Sequence, residues 1–111
     1  MPQEQQNSDK PYYSLIAKYF GSEAQFAYKI AELESGVESK MSNYPNNDGS
    51  QDVGIFQVND RWHCPKVGED NFSNACHQKL LDPETNVRIA KQIRDESGWG
   101  AWATYNKANN L

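Results

Sequence analysis

Apolar positions recur at helical spacing in three stretches of this chain. Residues 12–20 form the first run, which Gly21 ends. Ser22, with Gln25 three positions later, makes a capping-box pattern opening a second helix; it extends to about Ser35, with Gly36 as its left-handed stop. At about 100° per residue, Phe26, Ile30, Leu33 and Val37 gather into one apolar arc on that helix. A third helix is announced by Asp82 as N-cap and Pro83 at its first position. It carries Val87, Ile89, Ala90 and Ile93 inward and stops at Gly98.

Between the second and third helices the pattern changes. Tyr44 to Gly49 supply turn chemistry, and Asp48-Gly49 is a hairpin signal. The flanks are short, so a small antiparallel sheet is expected, with Val53 to Val58 as its most strand-like piece. Residues 61–79 read as irregular loop, and the aromatic tail from Trp99 to Asn106 as a last helical turn or two. The fold class is therefore α+β, mostly helical, with a small antiparallel sheet inserted and a cleft at the join. Residues 1–10, MPQEQQNSDK, are expected to be a disordered polar arm and residues 11–111 a single domain. That first stretch lacks the apolar run of a secretion signal, and no run approaches the roughly 18 to 20 apolar residues that cross a bilayer.

Composition narrows the function. A formal net charge of -4 and a pI near 5.1 give no global positive field for nucleic acid or an anionic membrane. A mean hydropathy of -0.91 concentrates the core in a few amphipathic segments. The two cysteines, Cys64 and Cys76, bracket a loop that a disulfide closes easily, implying an oxidising compartment. Zinc held with His63 and His77 is a rival reading, opposed by the direct adjacency of each histidine to its cysteine; two free buried thiols are another.

Among Glu23, Glu32, Glu34 and Glu38, the helical projection singles out Glu34. It falls at the edge of the apolar arc beside Ala27 and Ile30, whereas Glu32 falls on the solvated side. Desolvation disfavours a charged carboxyl and suits it to donate a proton near neutrality. The plainer reading is a boundary glutamate paired with a lysine such as Lys40. Asp52, after the Asp48-Gly49 turn, is a second carboxylate candidate or else an Asx-turn former. Gln57, Asn59, Trp62, Trp99 and Trp102 add amides and aromatic faces of the kind that bind sugars, although three tryptophans also suit a small core. Trp62, in the polar stretch Asn59-Asp60-Arg61-Trp62-His63, is the best candidate for an exposed platform.

The stretch from Asn47 to Cys64, NDGSQDVGIFQVNDRWHC, resembles the sheet region of c-type lysozymes. Ala31-Glu32-Leu33-Glu34-Ser35-Gly36 is similar to the helix end bearing their acid. Gly100 to Asn106, GAWATYN, resembles both the lysozyme tail and the tyrosine-asparagine motif of lytic transglycosylases. The resemblance implies Glu34 as general acid, Asp52 as second carboxylate, and Asn46, Gln57, Asn59, Trp62 and Trp102 as substrate-binding residues. It implies a secreted or otherwise extracytoplasmic monomer that cleaves the β-1,4 bond after N-acetylmuramic acid in peptidoglycan, with no cofactor and no metal. A lytic transglycosylase and a non-catalytic glycan-binding module are the alternatives. Cys64 and Cys76 resemble one bridge of animal c-type lysozymes, whose other cysteines this chain lacks. A calcium loop is not visible, since Glu84 alone follows Asp82 before Asn86, Val87 and Arg88. These departures suggest a reduced, bacterial or viral member.

Overall fold

The chain from residue 10 to residue 110 is described by a computed structural model; the arm expected over residues 1–10 lies, up to residue 9, outside the described residues. Helix α1, Tyr13–Phe20, is followed by a 3-10 turn, Gly21–Glu23, and by α2, Ala24–Ser35. Two strands follow, β1 at Asp52–Val53 and β2 at Val58–Asn59. The chain then passes a 3-10 turn at Cys64–Val67, α3 at Asn74–Leu81, α4 at Pro83–Ser97, a further 3-10 turn at Trp99–Ala101, and α5 at Tyr105–Asn109.

The capping box expected at Ser22 does not form. Gly21 (φ 53°) turns the chain, and α2 starts from Glu23, which at φ -93° and ψ 8° is not extended and gives no side-chain cap. An N-cap needs an extended residue just ahead of the helix, and here the 3-10 turn runs straight into it. The end of α2 matches expectation: Gly36 adopts φ 70° and its N–H reaches the carbonyls of Ala31 and Glu32. Val37, at φ 60°, is buried beyond that stop and does not prolong the helical arc. The buried face of α2 is formed by Ala24, Ala27, Tyr28, Ile30 and Ala31, with Phe26 and Leu33 only partly covered. Three of these five are alanines, so the inward face is rotated from the one drawn through the larger side chains.

Residues 53–58 are not one strand. Asp52 pairs with Asn59 and Val53 with Val58, so the reversal lies at residues 54–57, where Gly54 (φ 83°) and Gln57 (φ 50°) bend the chain. Ile55 and Phe56, at the tip, are fully buried. Asp48-Gly49 instead closes a smaller loop, in which Gly49 N–H donates to Asn46 and Asn46 N–H donates to Ser50. That loop lies inside an outer antiparallel bridge between Met41 and Val53.

Residues 61–79 are also more regular than expected. Ser73 caps α3 by accepting from the Cys76 N–H at 3.1 Å. This helix leaves little apolar periodicity in the sequence because only Cys76 and Leu80 are buried on it. Cys64 and Cys76 form a disulfide that fastens α3 to the loop after β2. Asp82 caps α4 as expected, accepting from the Thr85 N–H at 3.0 Å, and Gly98 ends it.

One buried side chain on α4 organises the hairpin. Asn86 Nδ2 donates to the carbonyls of Val53 and Leu80, each at 2.8 Å, and its Oδ1 accepts from the Phe56 N–H at 2.8 Å. Gly54 sits so close that a Cβ there would lie 2.2 Å from Asn86 Nδ2 and 2.6 Å from the Leu80 oxygen. Only glycine fits.

Asn86→Leu, which keeps the bulk and deletes the hydrogen bonds, is expected to lower unfolding free energy by about 3 to 5 kcal/mol, since three buried backbone groups lose their partners. Urea unfolding measures this, with Arg88→Leu on the exposed side of α4 staying within about 0.5 kcal/mol. An Asn86→Leu protein as stable as the parent would remove Asn86 from this role.

Candidate active site

A cleft of about 300 Å³ opens between the helices and the hairpin. Glu34 comes from the last turn of α2, Asp52 and Asn59 from the two strands, and Gln57 from the turn between them. Trp62 and His63 come from the loop after β2, and Ile93 from α4; Ala101, Trp102 and Ala103 from the tail complete the lining. The fold thus brings Glu34, Asp52, Gln57, Asn59, Trp62 and Trp102 to one cavity. Asn46 stands one step back, hydrogen-bonded to Asp52.

The helical side of the cleft is apolar. Trp102 is almost fully buried; its Nε1–H donates to the Phe56 carbonyl at 3.0 Å and its ring packs on Phe56 and Trp99. Glu34 is half-buried against this wall. Burial holds its carboxyl above the usual carboxylate range; a hydrogen bond from Thr104 opposes this and the negative charge of Asp52 reinforces it. The Thr104 Oγ1–H donates to Oε2 at 2.7 Å. Glu34 has no lysine partner among the described residues; Lys40 lies instead 3.7 Å from Glu38. Glu32 is exposed, as the helical projection requires.

The hairpin side is polar. Asp52 Oδ1 accepts from Asn59 Nδ2 at 3.0 Å and Oδ2 from Asn46 Nδ2 at 3.3 Å. The same two amides donate to Ser50 Oγ at 3.0 Å each, and Ser50 in turn donates to Asp48 Oδ1 at 2.6 Å. The Ser50 N–H also reaches Asp48 Oδ1, so the Asx turn belongs to Asp48 and not to Asp52. The Ser50 hydroxyl, the Ser50 N–H and then Arg61 hold the Asp48 carboxyl down at about 2. Gln57 donates from Nε2 to the carbonyls of Lys40 and Gly54, both at 3.0 Å.

The tryptophans divide. Trp62 is 65% exposed, with the Arg61 guanidinium 4.8 Å from its ring centroid and itself paired with Asp48. Trp99 does not line the cleft. It packs on Phe20 and Phe26, and its Nε1–H donates to Glu23 Oε2 at 3.2 Å, so its amphipathic ring serves the helical core.

Three site residues carry no clear signal in the sequence. Ser50 is not marked out by residue type, although an Asp two residues before a Ser in a glycine turn is an Asx-turn pattern. Thr104 comes within reach of Glu34 only through the tail's path. His63 stood out only for its adjacency to Cys64, yet it lines the cleft half-buried. Burial and then the charge of Lys66 push its pKa down, with Glu96 opposing. His77 faces Asp60, with Nε2 to Oδ2 at 2.7 Å.

Comparison with known proteins accords with this geometry. Residues 14–110 match the model of the C-type lysozyme/alpha-lactalbumin family. Lysozyme X of Drosophila melanogaster is 38% identical over 81 residues, which are 68% of this chain and 57% of that protein. The milk isozyme of lysozyme C from Equus caballus is 38% identical over 84 residues, 70% of this chain and 64% of its own. The matches therefore span less than two thirds of either relative's length. Among solved structures, a lysozyme from Litopenaeus vannamei superposes with a TM-score of 0.69 at 27% identity, covering 90% of this chain and 85% of the other. A calcium-binding lysozyme from equine milk gives 0.61 at 29%, covering 86% and 84%. A family model spanning nearly the whole described chain, joined to a matching fold, makes this chain a member of the C-type lysozyme/alpha-lactalbumin family.

Proposed function

We propose that this chain is a muramidase that cleaves the β-1,4 bond between N-acetylmuramic acid and N-acetylglucosamine in peptidoglycan, with Glu34 as general acid. The observation that carries the reading is the unequal setting of two carboxyls in one cleft. Glu34 lies against an apolar wall with its pKa raised, while Asp52 accepts two amide hydrogen bonds. Two carboxyls in such unequal settings divide the work, the desolvated one serving as acid and the amide-bonded one as its partner.

The chemistry follows from that division. Glu34 protonates the leaving oxygen as the bond to the anomeric carbon breaks. Asp52 stabilises or captures the positive centre that forms, a route for which lysozymes are the type case. Glu34, now a carboxylate, then takes a proton from the incoming water. Exposed Trp62 offers a face for a sugar ring, and Gln57 and Asn59 lie where they can meet sugar hydroxyls. The acidic chain does not attract an anionic wall from a distance, so short-range stacking and hydrogen bonding carry recognition. The Cys64–Cys76 disulfide fits an oxidising, extracytoplasmic setting.

Glu34→Gln is expected to lower the rate of release of soluble fragments from purified sacculi by about a hundred- to ten-thousandfold, with glycan binding retained. Full activity in that variant would remove Glu34 from the mechanism. The same variant reports the desolvation. A raised carboxyl pKa contributes stability only while the group stays protonated, and that contribution is lost as pH rises through its folded value. Glu34→Gln should therefore have the higher Tm at neutral pH, with the gap closing as the pH falls through the raised folded value toward the ordinary carboxylate range. Mass spectrometry of the fragments distinguishes the reaction itself: reducing ends accord with hydrolysis, and 1,6-anhydro ends would make the chain a transglycosylase.

A further inference from the structure

Glu34 has two carboxyl oxygens, and the fold treats them differently. Oε2 accepts the Thr104 hydroxyl at 2.7 Å, a contact between residues 70 apart in the chain. Oε1 receives no hydrogen bond from the described residues, and it is not among the buried side-chain atoms that lack a partner. Oε1 is therefore the oxygen left solvent-accessible and unpartnered among the described residues, on a side chain that lines the cleft. We propose that Thr104 is a positioning residue for Glu34, pinning Oε2 with its hydroxyl so that the proton delivered to substrate is carried by Oε1. The inference rests on the muramidase reading for its catalytic meaning, but the pinning itself is a property of the free protein.

The argument is one of donors and acceptors. In the protonated acid one oxygen carries hydrogen and the other remains an acceptor. A hydroxyl donating to Oε2 makes that oxygen the acceptor and leaves the O–H on Oε1. The Oε1–H bond then breaks as its proton passes to the glycosidic oxygen, which keeps the electron pair of the broken bond to the anomeric carbon. In the second half of the reaction Oε1 takes a proton from water while Thr104 continues to stabilise the negative charge at Oε2. One hydrogen bond thus serves both halves without rotation of the carboxyl.

Thr104 can hold this geometry because its own position is fixed. It follows Trp102, whose indole is tied to Phe56, and its carbonyl accepts from the Ala108 N–H in α5 at 2.9 Å. The titratable groups sharing the cleft with Glu34 are Asp52 on β1 and His63 in the loop after β2. Asp52 opposes ionisation of Glu34, so Thr104 supplies the countervailing contact.

The test compares Thr104→Val, which keeps the shape and deletes the hydroxyl, with Thr104→Ser, which restores it. Carbon-13 NMR titration of the Glu34 carboxyl in the free protein needs no substrate. In Thr104→Val the pKa should rise, because the donor to the charged form is gone, and in Thr104→Ser it should return to the parental value. In assays on solubilised glycan strands, Thr104→Val should lower kcat by about ten- to a hundredfold with KM changed less than about twofold, and move the alkaline limb of the pH profile upward. Thr104→Ser should recover most of that loss. A Thr104→Val protein with unchanged pKa and kcat would overturn the inference, as would a loss seen only in KM. A parent protein that shows the NMR shifts but never cleaves glycan would instead overturn the muramidase reading and leave the pinning in place.

Discussion

Three backbone groups around one tight turn, from Val53, Phe56 and Leu80, converge on the side chain of Asn86, and the cleft depends on that convergence. The sheet has only two residue pairs, too few to hold its own register in water. Its tip is buried, so its polar backbone groups need partners inside the protein. Asn86 has both a donor and an acceptor to offer, which neither a hydroxyl-free apolar residue nor a carboxylate does. Because Asn86 lies on the same helix as Ile93, which lines the cleft, the hairpin is registered against the wall that faces it.

From that registration comes the contrast between the two sides of the cavity. The helices and the aromatic tail offer Trp102, Ile93 and small alanines, and a carboxyl placed there loses water. The hairpin offers amides in pairs, and a carboxylate placed there finds donors. Ser50 couples the second side: its hydroxyl oxygen accepts from both asparagines that hold Asp52, and its own proton goes to Asp48. Asp48 in turn anchors Arg61, which stacks on Trp62. A chain of contacts therefore runs from the second carboxylate to the exposed platform.

Much of this was legible in the sequence wherever local chemistry decides the outcome. Gly36, Asp82 with Pro83, and Gly98 mark helix ends by backbone preference, and each stands where its type predicts. The projection that picked Glu34 over Glu32 survived even though the inward face of α2 is centred on alanines, because Glu34 flanks either version of that face. Legibility failed where tertiary contact overrides pattern. Val53 to Val58 reads as a strand because apolar burial looks alike in a strand and in a turn pressed into a core. The helix at Asn74–Leu81 exposes most of its length and leans on Cys76 and Leu80, which leaves periodicity little to detect. Thr104 and Ser50 gain their roles only from folded geometry, and Trp99 shares its residue type with cleft residues while serving the core.

Gly54 and Asn86 have a consequence for how this cleft can be moved or varied. Residues 50–60 read as a self-contained cassette, compact in sequence and carrying Asp52, Gln57 and Asn59 together. Yet its reversal is completed by a side chain more than two dozen positions downstream, with no room even for a methyl group between them. The cassette is therefore not portable: grafted onto another scaffold without an amide waiting at the matching height of a neighbouring helix, it would keep its letters and lose its shape. Replacing Asn86 alone would not free Gly54, because the Leu80 oxygen would still meet a Cβ there at 2.6 Å.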